Sequence, residues 1–270
     1  MSDVNPTISV LMGVYYRSND IALLKRSVTS ILSQTFSSFE LLICDDGSTS
    51  DALSFLDALA HADSRIRLIR RGDLLALPAK LNACLAEAKG DWIARMDDDD
   101  YSHPKRFERQ LEYLASHSRI AFVGCCVGLY QGGEKVGDRF LPKYPQAKDF
   151  YMVQPYIHPA LMFRREALEA VEGYSEDKHC LLCEDYDLLL RLYAAGYKGA
   201  NLQEILFDYT VPATARGSRR MSHRWNEAVT RYRRFRQLGV LPRALPYVVK
   251  PLAVGLLPET MLKTLKGMRS

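Results

Sequence analysis

Strand-like and helix-like patterns alternate regularly over the first hundred residues, and this alternation most constrains the fold. Short apolar runs typical of buried strands are separated by turns and by segments whose apolar residues recur every three or four positions. The predicted strands span residues 8–14, 39–44, 65–70 and 92–96, and the predicted helices span residues 20–33 and 78–88, with a further helix capped by Asp51. Repeated strand–helix units of this length favour an open, doubly wound α/β sheet with parallel strands.

The second half of the chain is less regular. Its patterns predict helices over residues 103–116 and 184–195, strands over residues 120–130 and 160–164, and a hairpin turn at Gly132-Gly133. The character of the sequence changes after Pro212. We therefore expect one α/β domain over residues 1–212 and a distinct region over residues 213–270.

Positive charge is concentrated in the C-terminal region. Residues 216–270 contain 13 Lys and Arg against only Glu227 and Glu259, whereas the whole chain carries a net charge of +4, so the preceding residues are net acidic. An acidic body with a basic tail predicts that the tail contacts something anionic, either phospholipid head groups or nucleic acid. A solvated helical face is the alternative interpretation.

An apolar stretch within this region, residues 245–257, is typical of a membrane-surface segment rather than a membrane span. Lys250 and Pro251 interrupt it, and it is shorter than the roughly 20 apolar residues that cross a bilayer. An interfacial segment beside the basic helix predicted over residues 231–236 fits this pattern better. We therefore expect peripheral association of the C-terminal region with a membrane.

The six cysteines form no recognisable metal or disulfide pattern. Three of them lie in apolar strand-like runs, where cysteine behaves as a small hydrophobe. Cys180 and Cys183 have CxxC spacing, but the sequence offers no second ligand pair for a structural zinc. Residues 1–6 show no signal-peptide pattern, so we expect a cytoplasmic protein with reduced thiols.

Four consecutive aspartates, Asp97–Asp100, directly follow the predicted strand over residues 92–96. Adjacent carboxylates repel one another, and hard oxygen ligands select Mg²⁺ or Mn²⁺, which keep open positions for phosphate oxygens. A solvated acidic loop with a helix-capping role is the alternative, but a loop directly after a core strand needs no such charge density. Because side chains alternate along a strand, we expect Asp97 and Asp99 to point the same way.

Polar residues also follow two other predicted strands. Tyr15 follows the first strand, and Asp45 and Asp46 follow the second, where a carboxylate can accept a hydrogen bond from a base or a ribose hydroxyl. An Asx turn before a helix is the alternative for either aspartate. Since ligands bind at the carboxyl ends of parallel strands, these groups and the four aspartates are expected to converge on one edge of the sheet.

Glu184 and Asp185 open a predicted helix. They either interact favourably with the helix N-terminus, which is the only role expected of Asp187, or supply a general base that the helix holds rigidly. Arg191 can reach an anionic group or pair with an acidic neighbour. His158 precedes a strand-like segment, and a structural role competes there with a functional one.

The order and spacing of these motifs resemble those of family 2 glycosyltransferases, which have the GT-A fold. The resemblance covers residues 7–210 and is carried by the runs ISVLMGVYY, LLICDDGSTSD, LPAKLNACLAEAKGDWIARMDDDD, HPALMF, EGY and CEDYDLLLRL. It implies a Rossmann-like, mostly parallel sheet flanked by helices. The helical basic C-terminal tail lies outside the resemblance and is expected from its own sequence pattern. Residues 1–212 then form the catalytic domain, with a nucleotide-binding half over about 1–100 and an acceptor-binding half over about 101–212.

The resemblance also implies roles for individual residues. Asp97 and Asp99 match the DxD motif that binds the metal ion, Mn²⁺ or Mg²⁺, and the sugar-nucleotide diphosphate, and His158 is a secondary metal candidate. Asp185, paired with Glu184, matches the catalytic base. The other residues assigned to the nucleotide sugar are Val14, Tyr15, Asp45, Asp46, Lys80, Asn82, Asp98 and Arg191. One departure is that Gly13 precedes Val14-Tyr15-Tyr16, where family members often have Pro before Val-Tyr-Asn.

The implied activity is an inverting transfer from a nucleotide sugar, with UDP as the expected nucleotide, to a hydroxyl of a saccharide acceptor. The basic tail favours a lipid-linked acceptor in O-antigen, capsule or exopolysaccharide synthesis, at the inner face of the cytoplasmic membrane.

Other functions fit the sequence less well. A nucleotidyltransferase is disfavoured because no Gly-rich basic loop follows the first strand, and a nucleic-acid-binding protein because the body is acidic. An inactive homologue acting as a scaffold is the last alternative, against which the intact aspartates count. The transferred sugar, the acceptor, the linkage, the choice between the two metals and the oligomeric state are left open.

Overall fold

A nine-stranded sheet organises the described part of the chain, which comprises residues 6–73, 76–211 and 220–256 of the computed structural model. The strands are β1 (Ile8–Val14), β2 (Phe39–Asp45), β3 (Ile66–Arg70), β4 (Trp92–Arg95), β5 (Tyr101–Ser102), β6 (Phe122–Gln131), β7 (Glu134–Arg139), β8 (Met162–Arg164) and β9 (Gly199–Thr210). The helices are α1 (Ala22–Leu32), α2 (Ser50–Ala62), α3 (Leu77–Glu87), α4 (Arg106–Ser116), α5 (Arg165–Glu169), α6 (Glu184–Ala194), α7 (Met221–Gln237) and α8 (Leu241–Leu256).

The first four strands are parallel, which confirms the fold class that the alternating pattern predicts. Their order in the sheet is β3-β2-β1-β4, with β1 between β2 and β4. In register, Val14 lies beside Asp45, and Leu11 lies beside Arg95 at the end of β4. The carboxyl ends of β1 and β2 therefore meet at the edge from which the chain leaves β4 into Asp97–Asp100.

The second half of the sheet is mixed. β8 runs antiparallel between β4 and β6, whereas β9 runs parallel to β6 and pairs with the antiparallel β5 on its other side. Gly132 and Gly133, with φ of +60° and +87°, form the predicted turn of the β6–β7 hairpin in the left-handed region that glycine adopts readily. Because β5 directly follows the four aspartates, their loop crosses from the centre of the sheet towards its far edge.

Apolar side chains form a core layer on each face of the sheet, since successive residues of a strand point to opposite faces. One layer packs α1 against the sheet through Leu24, Val28 and Ile31. The other layer includes Leu81 of α3 and Leu189 of α6. The helix that carries Lys80 and the helix that opens with Glu184 therefore share one face of the sheet.

Helices α7 and α8 pack on each other, and α7 packs on α6. Phe235 of α7 is fully buried, and its ring packs edge-on against those of Tyr151 and Tyr186. The predicted basic helix lies within α7, and the predicted apolar stretch lies within α8 as far as Leu256, with two prolines inside that helix. The parts of the predicted C-terminal region over 213–219 and 257–270 lie outside the described residues.

None of the helices in the described ranges is both long enough and apolar enough to cross a membrane.

Candidate active site

Side-chain hydroxyl groups from three parts of the chain hold the backbone of the loop of four aspartates. Hydroxyl groups donate to its carbonyl oxygens: Ser27 Oγ to Asp97 at 2.7 Å, Tyr16 Oη to Asp98 at 3.2 Å and Thr210 Oγ1 to Asp99 at 2.5 Å. The three hydroxyls come from α1, the end of β1 and the end of β9. The fold thus fixes the loop while leaving most of its carboxylate oxygens available for a ligand.

Three of the four carboxylates converge. Ligand atoms of Asp97, Asp99 and Asp100 lie within 4.8 Å of one another. Asp100 is fully buried; its Oδ1 accepts from the Thr210 amide at 2.7 Å, and its Oδ2 has no hydrogen-bond partner among the described residues. A group of hard oxygen atoms, one of them buried and unpartnered, fits a divalent cation such as Mg²⁺ or Mn²⁺. The family resemblance assigned Asp97 and Asp99 to the metal, and the structure places the Asp100 carboxylate beside them.

Burial and mutual repulsion oppose ionisation of this loop. Burial, together with the neighbouring Asp97 and Asp99, raises the pKa of Asp98 to about 7. Burial, together with Asp97, raises the pKa of Asp99 to about 6. Such shifts arise where like charges are concentrated without a counterion, and a bound cation would reverse them.

Arg95 is the cation that the fold itself supplies to this loop. It is the last residue of β4, is almost fully buried, and pairs with the Asp97 carboxylate through its guanidinium. It also donates to the carbonyl oxygens of Leu11, at 3.3 Å, and of Met96. Arg95 was not predicted as a site residue, although a charged residue inside an apolar strand pattern is a usable signal for one.

Two buried carboxylates, Asp45 and Asp46, lie where β1 and β2 finish. Asp45 Oδ2 accepts from the Gly47 amide at 3.3 Å and lies 3.3 Å from Arg70, while Asp46 Oδ2 lies 3.7 Å from Lys80 Nζ. The Oδ1 atom of each carboxylate is buried without a hydrogen-bond partner in the described part of the chain. These two oxygens can accept hydrogen bonds from a bound molecule.

Lys80, Val14 and Tyr15 adjoin these carboxylates. Lys80 Nζ donates to the Val14 carbonyl at 3.2 Å and lies 5.1 Å from the centre of the Tyr15 ring. Arg17 also contacts Tyr15, with its Nε 2.9 Å from the phenolic oxygen. The predicted nucleotide residues at the ends of the first two strands are therefore brought together with Lys80 of α3.

Asn82 and His158 have partners within the protein. Asn82 Nδ2 donates to the Tyr174 carbonyl and to Glu176, each at 2.8 Å, and its Oδ1 accepts from the Tyr174 amide at 2.9 Å. His158 Nε2 lies 2.9 Å from the Tyr174 hydroxyl, and burial holds the pKa of His158 well below its usual range. His158 does not belong to the group of three aspartates. These contacts favour a structural role for both residues.

Glu184 and Asp185 stand at the first turn of α6. Gln154 Nε2 donates to Asp185 Oδ2 at 2.9 Å, and the Tyr186 amide donates to Asp185 Oδ1 at 2.7 Å. Burial, and then the charge of Asp185, raise the pKa of Glu184 to about 7, and Arg95 opposes part of this rise. Glu184 Oε2 has no partner among the described residues.

The Tyr174 phenol interacts electrostatically with both the aspartate loop and the Glu184–Asp185 pair. Burial raises the pKa of the Tyr174 phenol; Arg95 opposes that rise, and the charges of Asp97, Asp185 and Glu184 add to it. The phenol therefore lies within electrostatic reach of the aspartate loop, of the Glu–Asp pair and of Arg95. The sequence prediction of convergence on one edge of the sheet covered Tyr15, Asp45, Asp46 and Asp97–Asp100, and it did not include Glu184 and Asp185.

Asp187 and Arg191 are engaged elsewhere. Asp187 is fully buried; its Oδ2 accepts from Arg191 Nε at 2.7 Å, and its Oδ1 accepts from Arg234 Nε of α7 at 2.6 Å. Arg191 also donates to the carbonyl oxygens of Val171 and Gly173. Of its two predicted roles, Arg191 has the pairing with an acidic neighbour. Asp187 does more than interact with a helix terminus, because it links α6 to α7 and, through Arg191, to residues 171–173.

Comparison with known proteins decides the family. The family model described as Glycosyl transferase family 2 matches residues 9–172, and the one described as Glycosyl transferase family group 2 matches residues 92–269. The chain belongs to glycosyl transferase family 2. It is a glycosyltransferase, as the resemblance of its motifs predicts.

Relatives in sequence and in structure agree with this assignment. EpsE of Bacillus subtilis is 34% identical over 95% of this chain and 92% of its own length. An Escherichia coli protein named UDP-Gal:alpha-D-GlcNAc-diphosphoundecaprenol beta-1,3-galactosyltransferase is 28% identical over 77% of this chain and 75% of its own length. A mannosyltransferase from Pyrobaculum calidifontis, solved with GDP-Man and Mn²⁺, has a TM-score of 0.65 at 17% identity and covers 98% of this chain and 81% of its own. The structural likeness confirms the predicted GT-A fold.

Proposed function

We propose that this glycosyltransferase moves a sugar from a UDP-sugar to a hydroxyl of a saccharide acceptor and inverts the anomeric centre. The observation that carries the proposal is a set of buried carboxylate oxygens without hydrogen-bond partners in the described residues, on Asp45, Asp46, Asp100 and Glu184. Buried polar atoms are rarely left unpaired unless a ligand or ion completes them. These atoms lie at the strand ends and around Arg95, where a donor sugar and its nucleotide would sit.

The nucleotide end would bind at the ends of β1 and β2. Asp45 and Asp46 would accept hydrogen bonds from the base and from the ribose hydroxyls, and Lys80 balances their charge nearby. Uracil as the base is supported by the name of the Escherichia coli relative, which gives UDP-Gal as the donor. The GDP-Man complex of the structural relative makes guanine the competing choice.

The diphosphate end would bind at the aspartate loop. Asp97, Asp99 and Asp100 would hold Mn²⁺ or Mg²⁺, and the bound ion would supply positive charge opposite the departing diphosphate. Asp98, on the same loop, is also proposed to contact the donor. Arg95 pairs with the Asp97 carboxylate and so fixes its position.

Asp185 is proposed as the general base. Its carboxylate takes the proton from the acceptor hydroxyl while that oxygen forms a bond to the anomeric carbon and the bond from this carbon to the diphosphate breaks. One displacement of this kind converts an α-linked donor into a β-linked product. Gln154 and the Tyr186 amide orient the carboxylate on a rigid helix, and adjacent Glu184 completes the acidic pair.

The acceptor is proposed to be a lipid-linked saccharide used in O-antigen, capsule or exopolysaccharide synthesis. A diphosphoundecaprenol-linked sugar is the acceptor named for the Escherichia coli relative. The basic region over 213–270 would place the enzyme peripherally at the inner face of the cytoplasmic membrane. In this assignment residues 1–212 form the catalytic domain, and its second half binds the acceptor.

Paired variants test the proposed roles. Asp185→Asn keeps the shape of the side chain but removes the base, so it should abolish transfer from a radiolabelled UDP-sugar while UDP still binds. Asp99→Ala should instead weaken metal-dependent UDP binding. Asp177→Asn, which alters an exposed carboxylate eight residues before the base, is the matched control and should behave as the wild type. An active Asp185→Asn enzyme would remove Asp185 as the base.

A further inference from the structure

Large apolar side chains are exposed on the outer sides of α7 and α8. On α8, Leu245, Val249 and Leu256 recur at helical spacing and are 50%, 51% and 78% exposed. On α7, Met221, Trp225 and Tyr232 are also exposed. Single exposed apolar residues are common, but a stripe of them on one helix face marks a surface that contacts another apolar body.

The exposed residues of the two helices adjoin. Gly255 of α8 lies against the side chains of Met221 and Arg224 at the start of α7, and Arg224 donates to the Pro251 carbonyl at 3.4 Å. The end of α8 therefore lies beside the beginning of α7. We call the combined surface the outer C-terminal face; it comprises Met221, Trp225, Tyr232, Leu245, Val249 and Leu256.

The charged residues of α7 and α8 are mostly positive. Arg220, Arg236 and Arg243 are exposed, and Glu227, the only acidic residue of 220–256, is paired with Arg231 at 2.9 Å. The sequence beyond Leu256 adds three more Lys and Arg against one Glu. Apolar side chains bordered by arginines match the interfacial region of a bilayer that contains anionic lipids.

The outer C-terminal face adjoins residues 151–154, which reach the proposed base Asp185 and so lie on the side of the site where the acceptor would bind. Lys250 Nζ of α8 donates to the Met152 carbonyl at 2.7 Å, and the Tyr247 ring stacks on that of Tyr151, with centroids 5.2 Å apart. Met152 and Val153 themselves are exposed apolar residues. The next residue, Gln154, donates to Asp185, so the apolar surface ends one residue from the group that orients the proposed base.

We infer that the outer C-terminal face and Met152–Val153 form one docking surface for an anionic phospholipid bilayer, and that docking turns the acceptor side of the active site towards that bilayer. A lipid-linked saccharide could then reach Asp185 while its lipid stays in the membrane. The bilayer contact rests on the exposed residues alone, whereas the benefit for the acceptor rests on the proposed function.

Flotation with lipid vesicles tests the contact. The full-length protein should bind vesicles containing anionic phosphatidylglycerol and detach as salt rises, and it should bind phosphatidylcholine vesicles weakly. The double variant Leu245→Glu/Val249→Glu should lower partitioning by about tenfold or more, and Arg236→Gln and Arg243→Gln by about fivefold each. Val136→Glu, on the exposed hairpin strand β7, is the matched control and should bind as the wild type. Equal binding by all variants would overturn the inference.

Two further measurements separate this inference from its alternatives. If the face covers a second copy of the chain, light scattering of the wild type will show a dimer that the double variant loses, and vesicle binding will be absent; that result would overturn the bilayer assignment. With transfer as the readout, the double variant should lose activity on a lipid-linked acceptor but keep activity on a short-chain, water-soluble analogue. Vesicle binding without any transfer would support the docking surface and count against the proposed function instead.

Discussion

Asp187→Ala should destabilise the protein more than any other single carboxylate change on α6. The carboxylate is fully buried and accepts charge-assisted hydrogen bonds from Arg191 of its own helix and Arg234 of α7. Arg191 in turn holds the carbonyl oxygens of Val171 and Gly173. Loss of the carboxylate leaves two largely buried guanidinium groups without their counterion.

The expected magnitude follows from that burial. Removing one partner of a buried ion pair costs about 3–5 kcal/mol, because the remaining charge stays desolvated. Arg234→Ala should cost less, about 1.5–3 kcal/mol, since Asp187 keeps its bond to Arg191. Asp177→Ala removes a pair with Arg233 in which both side chains are well exposed, and should cost about 0–1 kcal/mol.

Urea unfolding at pH 7 measures the three variants against the wild type. At roughly 2–4 °C per kcal/mol for a chain of this size, Asp187→Ala should also lower the Tm by roughly 6–20 °C. Because the two single changes act on one network, Asp187→Ala/Arg234→Ala should cost less than the sum of its parts. An Asp187→Ala protein whose free energy of unfolding lies within about 1 kcal/mol of the wild-type value would refute the reasoning. That result would mean that the buried arginines need no counterion.

Mn²⁺ affinity should rise between about pH 5 and 7.5, because the pKa of Asp99 is raised to about 6 and its proton must leave before a metal binds. Calorimetry at several pH values measures this rise, and a constant affinity would contradict the prediction. Asp98 and Glu184, with pKa values raised to about 7, keep their protons to higher pH in the folded chain than in the unfolded chain. Stability of the metal-free protein should therefore fall as pH rises from about 4 to 7.5, and thermal melts with a chelator measure that fall. Gln154→Leu removes a donor to Asp185 and should lower kcat about ten- to hundredfold with UDP binding unchanged; weakened UDP binding would show that Gln154 acts on the donor instead.

Local sequence patterns predicted the parallel half of the fold well. Buried parallel strands appear as short apolar runs, and the predicted strands and helices over residues 8–96 agree with β1–β4, α1 and α3 to within a few residues. Helix α2 begins at Ser50, so Asp51 lies in its first turn and does not cap it as predicted. The β6–β7 hairpin was also predicted, because two adjacent glycines mark a tight turn. The pairing of β9 with β6 and β5 was not predicted, since it joins residues between 77 and 107 positions apart and leaves no local signal.

In the candidate site, too, residues with a local sequence signal were predicted and contacts between distant parts of the chain were not. Residues at strand ends, such as Asp45 and Asp99, were predicted because the topology itself brings strand ends together. Arg191 was assigned to the donor, although its helical neighbour Asp187 lies four positions away and binds it. The bond from Asp187 to Arg234 spans 47 residues, so only the folded chain reveals that part of the basic tail is neutralised within the protein.

Calorimetric titration with UDP, GDP and CDP, each with and without Mn²⁺, tests the central claim most directly. The wild type should bind UDP tightly only with Mn²⁺, and Asp99→Ala should lose the metal-dependent part of that affinity. Preference for GDP or CDP would retain the site but change the donor. Nucleotide binding that is equally tight without metal would contradict the assignment of Asp97, Asp99 and Asp100, and no binding of any nucleotide would contradict the account as a whole.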